Sequence, residues 1–291
     1  MATVEQWWQG ARPRTLPAAI APVLVGSAAA AAEDGFVAGR ALLAMGVALA
    51  LQVGVNYAND YSDGVRGTDA ARVGPMRLVG SGAAAAEQVK RAAFASFGLA
   101  GLLGLALVAL SGQWWLLGVG AVAVAAAWGY TGGASPYGYR GLGEVSVFVF
   151  FGLVATMGTT YVQLLTVTTA SVLGAVAVGS LATAILVVNN LRDIPTDAAS
   201  GKRTLAVRLG DRMTRRLFLA LLAVAYACAV AVSFDGYPRA MLAWLSLPWA
   251  VRAAQVVERG ATGPALIGPL ADTGRAELAL AVGLSVGLVV G

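Results

Sequence analysis

Long apolar runs separated by short polar breaks fill most of the chain. A helix needs about 20 apolar residues to cross some 30 Å of hydrocarbon, somewhat fewer at the short end. Nine runs meet or approach that length: 16–32, 41–56, 92–110, 114–129, 145–165, 170–188, 217–233, 237–257 and 278–290. Pro248 and Arg252 interrupt the eighth, and the ninth is short. The pattern predicts an all-α fold, a polytopic membrane helical bundle with nine transmembrane helices. Gly and Ala are plentiful within the runs, as expected where helices pack closely in lipid. The polar segment 1–14, with Trp7, Trp8, Arg12 and Arg14, reads as an interfacial lead into the first span, with no cleavable signal.

Charge supports this count. With the N-terminus cytoplasmic, the inside segments hold 18 of the 20 basic residues, all but Arg40 and Arg239. Such a split follows the positive-inside rule, and a wrong span count early in the chain would scramble it. The expected location is therefore a multi-pass protein of the plasma membrane, with its polar loops in the cytoplasm. Composition agrees: 58% of the 291 residues are hydrophobic and 12% are charged, against about 25% charged in soluble domains. The chain reads as one integral membrane domain over residues 1–291. The net charge of +5 follows from topology and calls for no nucleic acid. Histidine is absent, which excludes His-ligated zinc, His general bases and Ser/His/Asp triads. The one cysteine, Cys228, forms no disulfide within the chain and no Cys-rich metal site.

Two long polar loops remain, 56–90 and 189–216, four spans apart. Each opens as Asn-x-x-x-Asp, at Asn56–Asp60 and Asn189–Asp193. Each then has Asp-Ala-Ala, at Asp69 and Asp197, and Arg-Leu, at Arg77 and Arg208. The likeness suggests two four-helix repeats plus a ninth helix, and repeat halves often place a binding site at their interface. Asn56 and Asp60 are i,i+4, Asp60 and Asp63 are i,i+3, and Asp193 and Asp197 are i,i+4, so each set projects from one face of a helix end. Carboxylates ~4 Å apart repel by about 4 kcal/mol at an effective dielectric near 20. A hard divalent cation reverses that sign, and oxygen ligands suit Mg²⁺. Arg66, Arg72, Arg77, Lys202, Arg203 and Arg208 beside the acids point to a phosphate-bearing substrate. The same positions are also what topology demands of any cytoplasmic loop. Lys202 and Arg77 stand out because they follow the acids within glycine-containing turns. The segment from Tyr130 through Tyr137 to Glu144 puts aromatic faces on the same side, suited either to an allylic cation or to an interfacial aromatic belt.

The spacing Asn56-x-x-x-Asp60-x-x-Asp63, with Asp193-x-x-x-Asp197 after the sixth span, resembles the UbiA superfamily of intramembrane aromatic prenyltransferases. Ala11-Arg-Pro-Arg-Thr-Leu-Pro17, Gly74-Pro-Met-Arg-Leu-Val-Gly80 and Tyr130-Thr-Gly-Gly are most similar to members that prenylate 1,4-dihydroxy-2-naphthoate in menaquinone biosynthesis. The resemblance covers about Trp7 to Arg216 with specific motifs. It implies nine helices around a central cavity with a side opening for a lipid tail. It also implies Mg²⁺-dependent transfer from a polyprenyl diphosphate to the naphthoate, with loss of CO₂, giving demethylmenaquinone. Carried onto this sequence, it makes Asp60, Asp193 and Lys202 catalytic. Asn56, Asp60, Asp63, Asp193 and Asp197 become ligands for two Mg²⁺ ions. Asn59, Arg66, Arg77, Tyr130, Tyr137, Asn190 and Arg203 become substrate-binding. Membrane lipid is the implied surrounding partner. The alternatives are another superfamily member, such as one acting on 4-hydroxybenzoate, or a secondary transporter, whose acids would lie at mid-span rather than at helix ends. A CDP-alcohol phosphotransferase is set aside because its compact Asp-Gly-x-x-Ala-Arg start is missing.

Overall fold

The computed structural model describes residues 2–67 and 76–291. Among the described residues the fold is all-helical, with no strand. A short amphipathic helix, α1 (Val4–Ala11), carries a capping box between Thr3 and Gln6. Arg12 turns the chain in a left-handed conformation (φ 55°), Pro13–Thr15 makes a tight turn, and α2 (Pro17–Ala31) follows at an angle of 50° to this entry segment. Then come α3 (Ala38–Arg66), α4 (Ala86–Ser111), α5 (Leu116–Gly129), α6 (Gly143–Leu164), α7 (Thr169–Ala199), α8 (Leu205–Phe234), α9 (Pro238–Glu258) and α10 (Ile267–Val289).

A helix stands at each of the nine apolar runs. Six of them, α3, α4, α6, α7, α8 and α9, are long and apolar enough to cross a membrane by themselves, so this is a multi-pass membrane protein. At 14 residues, α5 covers only about 21 Å. The helices α3 and α7 outrun their apolar segments. Both continue for two to three turns through the polar motifs, so the paired acids sit on helix ends rather than in loops. In α9 the expected interruption is a change of helix type. Pro238–Ser246 is a tighter 3₁₀ stretch, and Pro248 opens the regular turns of Leu247–Glu258, where its missing N–H leaves no bond unmade.

Among the described residues three apolar cores hold the bundle, the smallest joining α2, α3, α4 and α6 around Val23, Ala44, Leu107 and Val162. The largest joins α2, α7, α8, α9 and α10 around Leu181, Phe218, Leu280 and Leu284. The second joins α1, α3, α4 and the turn after residue 76 around Tyr57, Leu78 and Phe97. At the end away from the polar motifs, Arg40 donates to the carbonyls of Val162 (2.9 Å) and Leu110 (2.8 Å), and Arg239 donates to the carbonyls of Val290 and Gly291. The two basic residues that break the charge split therefore satisfy carbonyls at helix ends.

Across the middle of α6, Phe148–Val154 winds as a π-helix. There α6 meets α7 backbone to backbone. A Cβ on Gly152 would lie 2.6 Å from the Cα of Gly179, and one on Gly179 would lie 2.8 Å from the Cα of Gly152. Close approach at small residues is how lipid-embedded helices gain dispersion energy. Gly179→Leu should therefore separate α6 from α7, costing about 1–3 kcal/mol or more. The check is the thermal unfolding midpoint in detergent, which should fall clearly below that of the unaltered protein.

Candidate active site

Within the bundle lies a chamber of about 2010 Å³, walled by α2 to α7 and α10 with Arg252 of α9. Its wall is chiefly apolar, with Val47, Leu51, Val124, Phe150, Phe151 and Val154 among the lining residues. Next to it is a polar recess of about 130 Å³. Six residues line both spaces and mark the junction: Arg12, Asn59, Arg77, Tyr130, Leu186 and Asn189. Asp63, Asn190, Asp193, Asp197 and Lys202 line the recess. The ends of α3 and α7 thus bring the two predicted motifs to one place.

Asp63 is the hub of the recess. It is buried, its Oδ1 accepts from the Tyr139 hydroxyl at 2.5 Å and the Lys202 ammonium at 3.3 Å, and its Oδ2 pairs with Arg77 at 3.6 Å. Lys202 also stands 4.7 Å from the centre of the Tyr139 ring, and its backbone N–H donates to the Asp197 carbonyl at 2.9 Å. Across from Asp63, both carboxylate oxygens of Asp193 accept from the Arg192 guanidinium, at 2.6 and 2.7 Å, and Arg192 bonds Asn189 at 3.0 Å. Asn190 donates to Glu144 at 2.9 Å. Asn59 accepts from the Thr131 hydroxyl at 2.7 Å. Tyr130 and Tyr137 meet edge to face at 5.6 Å, and Tyr137 bonds Ser146 and the Ala126 carbonyl, both at 2.8 Å. Burial, with Glu144, Tyr137 and Asp63 adding to it, pushes the Tyr130 phenol well up, and burial raises Tyr137 too. Both therefore stay neutral donors.

Several expected residues take other places. The carboxylate of Asp60 is buried against the chain, with Oδ2 accepting from the N–H of Leu78 at 2.7 Å and Oδ1 from that of Val79 at 3.0 Å. It lines neither space and clamps the 76–80 turn. Asn56 lines the chamber, but its amide donates to the Ala11 carbonyl (2.8 Å) and to Thr15 (2.9 Å), tying the entry turn to α3. Arg66 donates to the carbonyls of Thr131 and Gly133 and lies over Tyr139. The side chain of Arg203 is exposed, and its backbone N–H holds the Tyr139 carbonyl. Asp69 and Arg72 lie outside the described residues.

Three residues that motif reading passed over belong to the site. Tyr139 connects Asp63, Lys202 and Arg66. Arg192 neutralises Asp193. Arg12 lines both chamber and recess, and its Nη2 is buried with no hydrogen-bond partner. A buried guanidinium nitrogen left unpaired is costly, and an anion at the junction would satisfy it. The signal for Arg12 was its place directly before Pro13, at the turn into the first span; that for Tyr139 was its aromatic loop. Oxygen donors line the recess from two helices, but no three carboxylates converge on one point among the described residues. That donor set fits Mg²⁺, which is commonly held by one or two carboxylates together with phosphate oxygens and water.

Comparison with known proteins gives the same picture. The UbiA prenyltransferase family matches residues 19–265. A 1,4-dihydroxy-2-naphthoate octaprenyltransferase of Mycobacterium tuberculosis is 53% identical over 100% of this chain and 99% of its own. One of Escherichia coli is 41% identical over 89% and 87%. Among solved structures, a UbiA homolog from Archaeoglobus fulgidus bound to GPP and Mg²⁺ superposes with a TM-score of 0.69 at 14% identity, covering 98% of this chain and 100% of that one.

Asp60 and Asp63 are both tied into the fold, by different partners. Asp60→Ala leaves two amides without their acceptor and should lower the thermal midpoint by roughly 2–6 °C. Asp63→Asn keeps an oxygen for Tyr139 but strips Lys202 and Arg77 of their shared counter-charge, and should lower it at least as much. A midpoint unchanged in either variant would contradict the assignment.

Proposed function

Since the chain belongs to the UbiA prenyltransferase family, we propose that it transfers a polyprenyl group from its diphosphate to 1,4-dihydroxy-2-naphthoate with loss of CO₂. The observation that carries this reading is the junction itself: a polar recess with carboxylates and cations opens directly onto a large apolar chamber. A diphosphate with a long hydrocarbon tail is amphiphilic in the same way. The tail would lie in the chamber and the diphosphate at the recess, against Lys202, Arg77 and the unpaired Arg12 nitrogen.

Asn59 and Asp63 on α3 and Asp193 and Asp197 on α7 form two banks, each suited to one Mg²⁺ ion. When bound there, the metal supplies charge neutralisation to the departing diphosphate. Asp60 acts at one remove, by holding the turn that presents Arg77. In the reaction the C1–O bond of the donor breaks and its electron pair leaves with the diphosphate. A ring carbon of the acceptor forms the new C–C bond to C1. The carboxylate departs as CO₂ and returns its bonding pair to the ring. The product is the quinol form of demethylmenaquinone. Neutral Tyr130 at the junction and Tyr137 in the chamber wall beside it offer ring faces to the developing allylic cation. The apolar wall keeps water from quenching it, and fixed charges around Asp63 stabilise the leaving group without reorganising.

The same reading takes α2–α10 as nine spans in the plasma membrane with the recess facing the cytoplasm, supported by the 18 basic residues on that side. The test supplies purified protein with one prenyl diphosphate, either dihydroxynaphthoate or 4-hydroxybenzoate, and either Mg²⁺ or EDTA. The naphthoate should be prenylated only with Mg²⁺. Prenylation of the benzoate alone would move the chain to another branch of the family. No product under any condition would sink the proposal. Under the productive condition Asp63→Asn and Lys202→Met should each reduce kcat by about 10²–10³.

A further inference from the structure

Away from the recess, Arg252 on α9 and Asp272 and Arg275 on α10 form a group of ionisable side chains that the mechanism leaves unused. Arg252 approaches Oδ2 of Asp272 at 2.9 Å, and Arg275 approaches Oδ1 at 2.9 Å. Asp272 is buried, whereas the side chains of Arg252 and Arg275 are 58% and 61% exposed. All three line the chamber. Two cations share one carboxylate, so the group carries surplus positive charge.

Its level in the fold is set by the contact of α10 with α7. A Cβ on Gly274 would lie 3.9 Å from Cδ1 of Ile185. Asn189, at the junction, is one turn further along α7, about 6 Å at 1.5 Å per residue. Arg275 therefore stands about one helical turn from the place where the diphosphate would lie. The diphosphate already meets Lys202, Arg77 and Arg12, so a second group of cations at this distance suits a second anion. The other substrate is a flat ring bearing a carboxylate, and a guanidinium fork matches a carboxylate with two parallel hydrogen bonds.

We propose that Arg252 and Arg275, braced on Asp272, form an acceptor site that binds the carboxylate of the aromatic substrate. The site holds the ring across the junction and selects acids over carboxyl-free rings. This rests on the prenyl-transfer reading. The experiment compares 1,4-dihydroxy-2-naphthoate with 1,4-dihydroxynaphthalene, the same ring without the carboxyl, using the full-length protein, Mg²⁺ and one prenyl diphosphate. The unaltered protein should favour the acid. In Arg275→Gln and in Arg252→Gln that preference, as a ratio of kcat/KM values, should fall about tenfold or more. Arg275→Lys should keep part of it, and the KM for the diphosphate should stay unchanged in all three. A preference retained in the Gln variants, or a KM for the diphosphate rising in step with that for the acid, would overturn the proposal. An unaltered protein that used both rings equally well would overturn it before any variant is made. Failure to prenylate either ring would instead remove the prenyl-transfer reading on which it rests.

Discussion

Asp63 is the point on which the site depends. One buried carboxylate draws together the end of α3, the aromatic segment before α6 through Tyr139, the turn between α7 and α8 through Lys202, and the turn before α4 through Arg77. In a low-dielectric surrounding, charge pairs of this kind hold firmly, and breaking one partner away leaves an uncompensated charge. The recess therefore exists only while these four segments are docked. The charges proposed to act on the diphosphate are also the ones that hold the recess together. A metal–diphosphate complex would enter a constellation already near balance and alter it by redistributing partners.

The division between chamber and recess follows from the solvent on either side. Each apolar run becomes a helix because lipid offers its backbone no other hydrogen-bond partner. Where α3 and α7 pass beyond the hydrocarbon they remain helical and become polar. Reactive charge consequently gathers at one end, and the apolar wall of the chamber begins immediately below it.

Much of this was legible in the chain. The apolar runs gave the helices, the charge split gave a common end for the two motifs, and the i,i+3 and i,i+4 spacings gave their shared faces. What spacing could not settle was which acid of a pair turns inward. Asp60 and Asp63 are one turn apart and carry the same side chain. Asp60 is claimed by two amides of a turn some 18 residues later, a tertiary event with no local trace. Asn56 was likewise claimed by the entry turn. Arg12 and Tyr139 were in view as parts of motifs, yet their roles required knowing which segments fold over the ends of α3 and α7. The Arg252–Asp272–Arg275 group lies where only hydropathy had been informative.

The π-helical stretch of α6 has a geometric consequence. Along α6 the chamber is lined by Ser146, Val147, Phe150, Phe151, Val154, Ala155, Gly158, Thr159 and Val162, which recur every four residues. A regular α-helix turns through 100° per residue, so a period of four would drift steadily around its surface and out of the chamber. The wider turns of Phe148–Val154 take up that drift and keep one continuous wall. The segment is thus constrained in winding more than in composition. Exchanging one apolar side chain for another leaves the wall facing inward. Rewinding the stretch as α-helix at its present length would carry eight residues through about 800° rather than two full turns, and so rotate half the wall by about 80° relative to the other half.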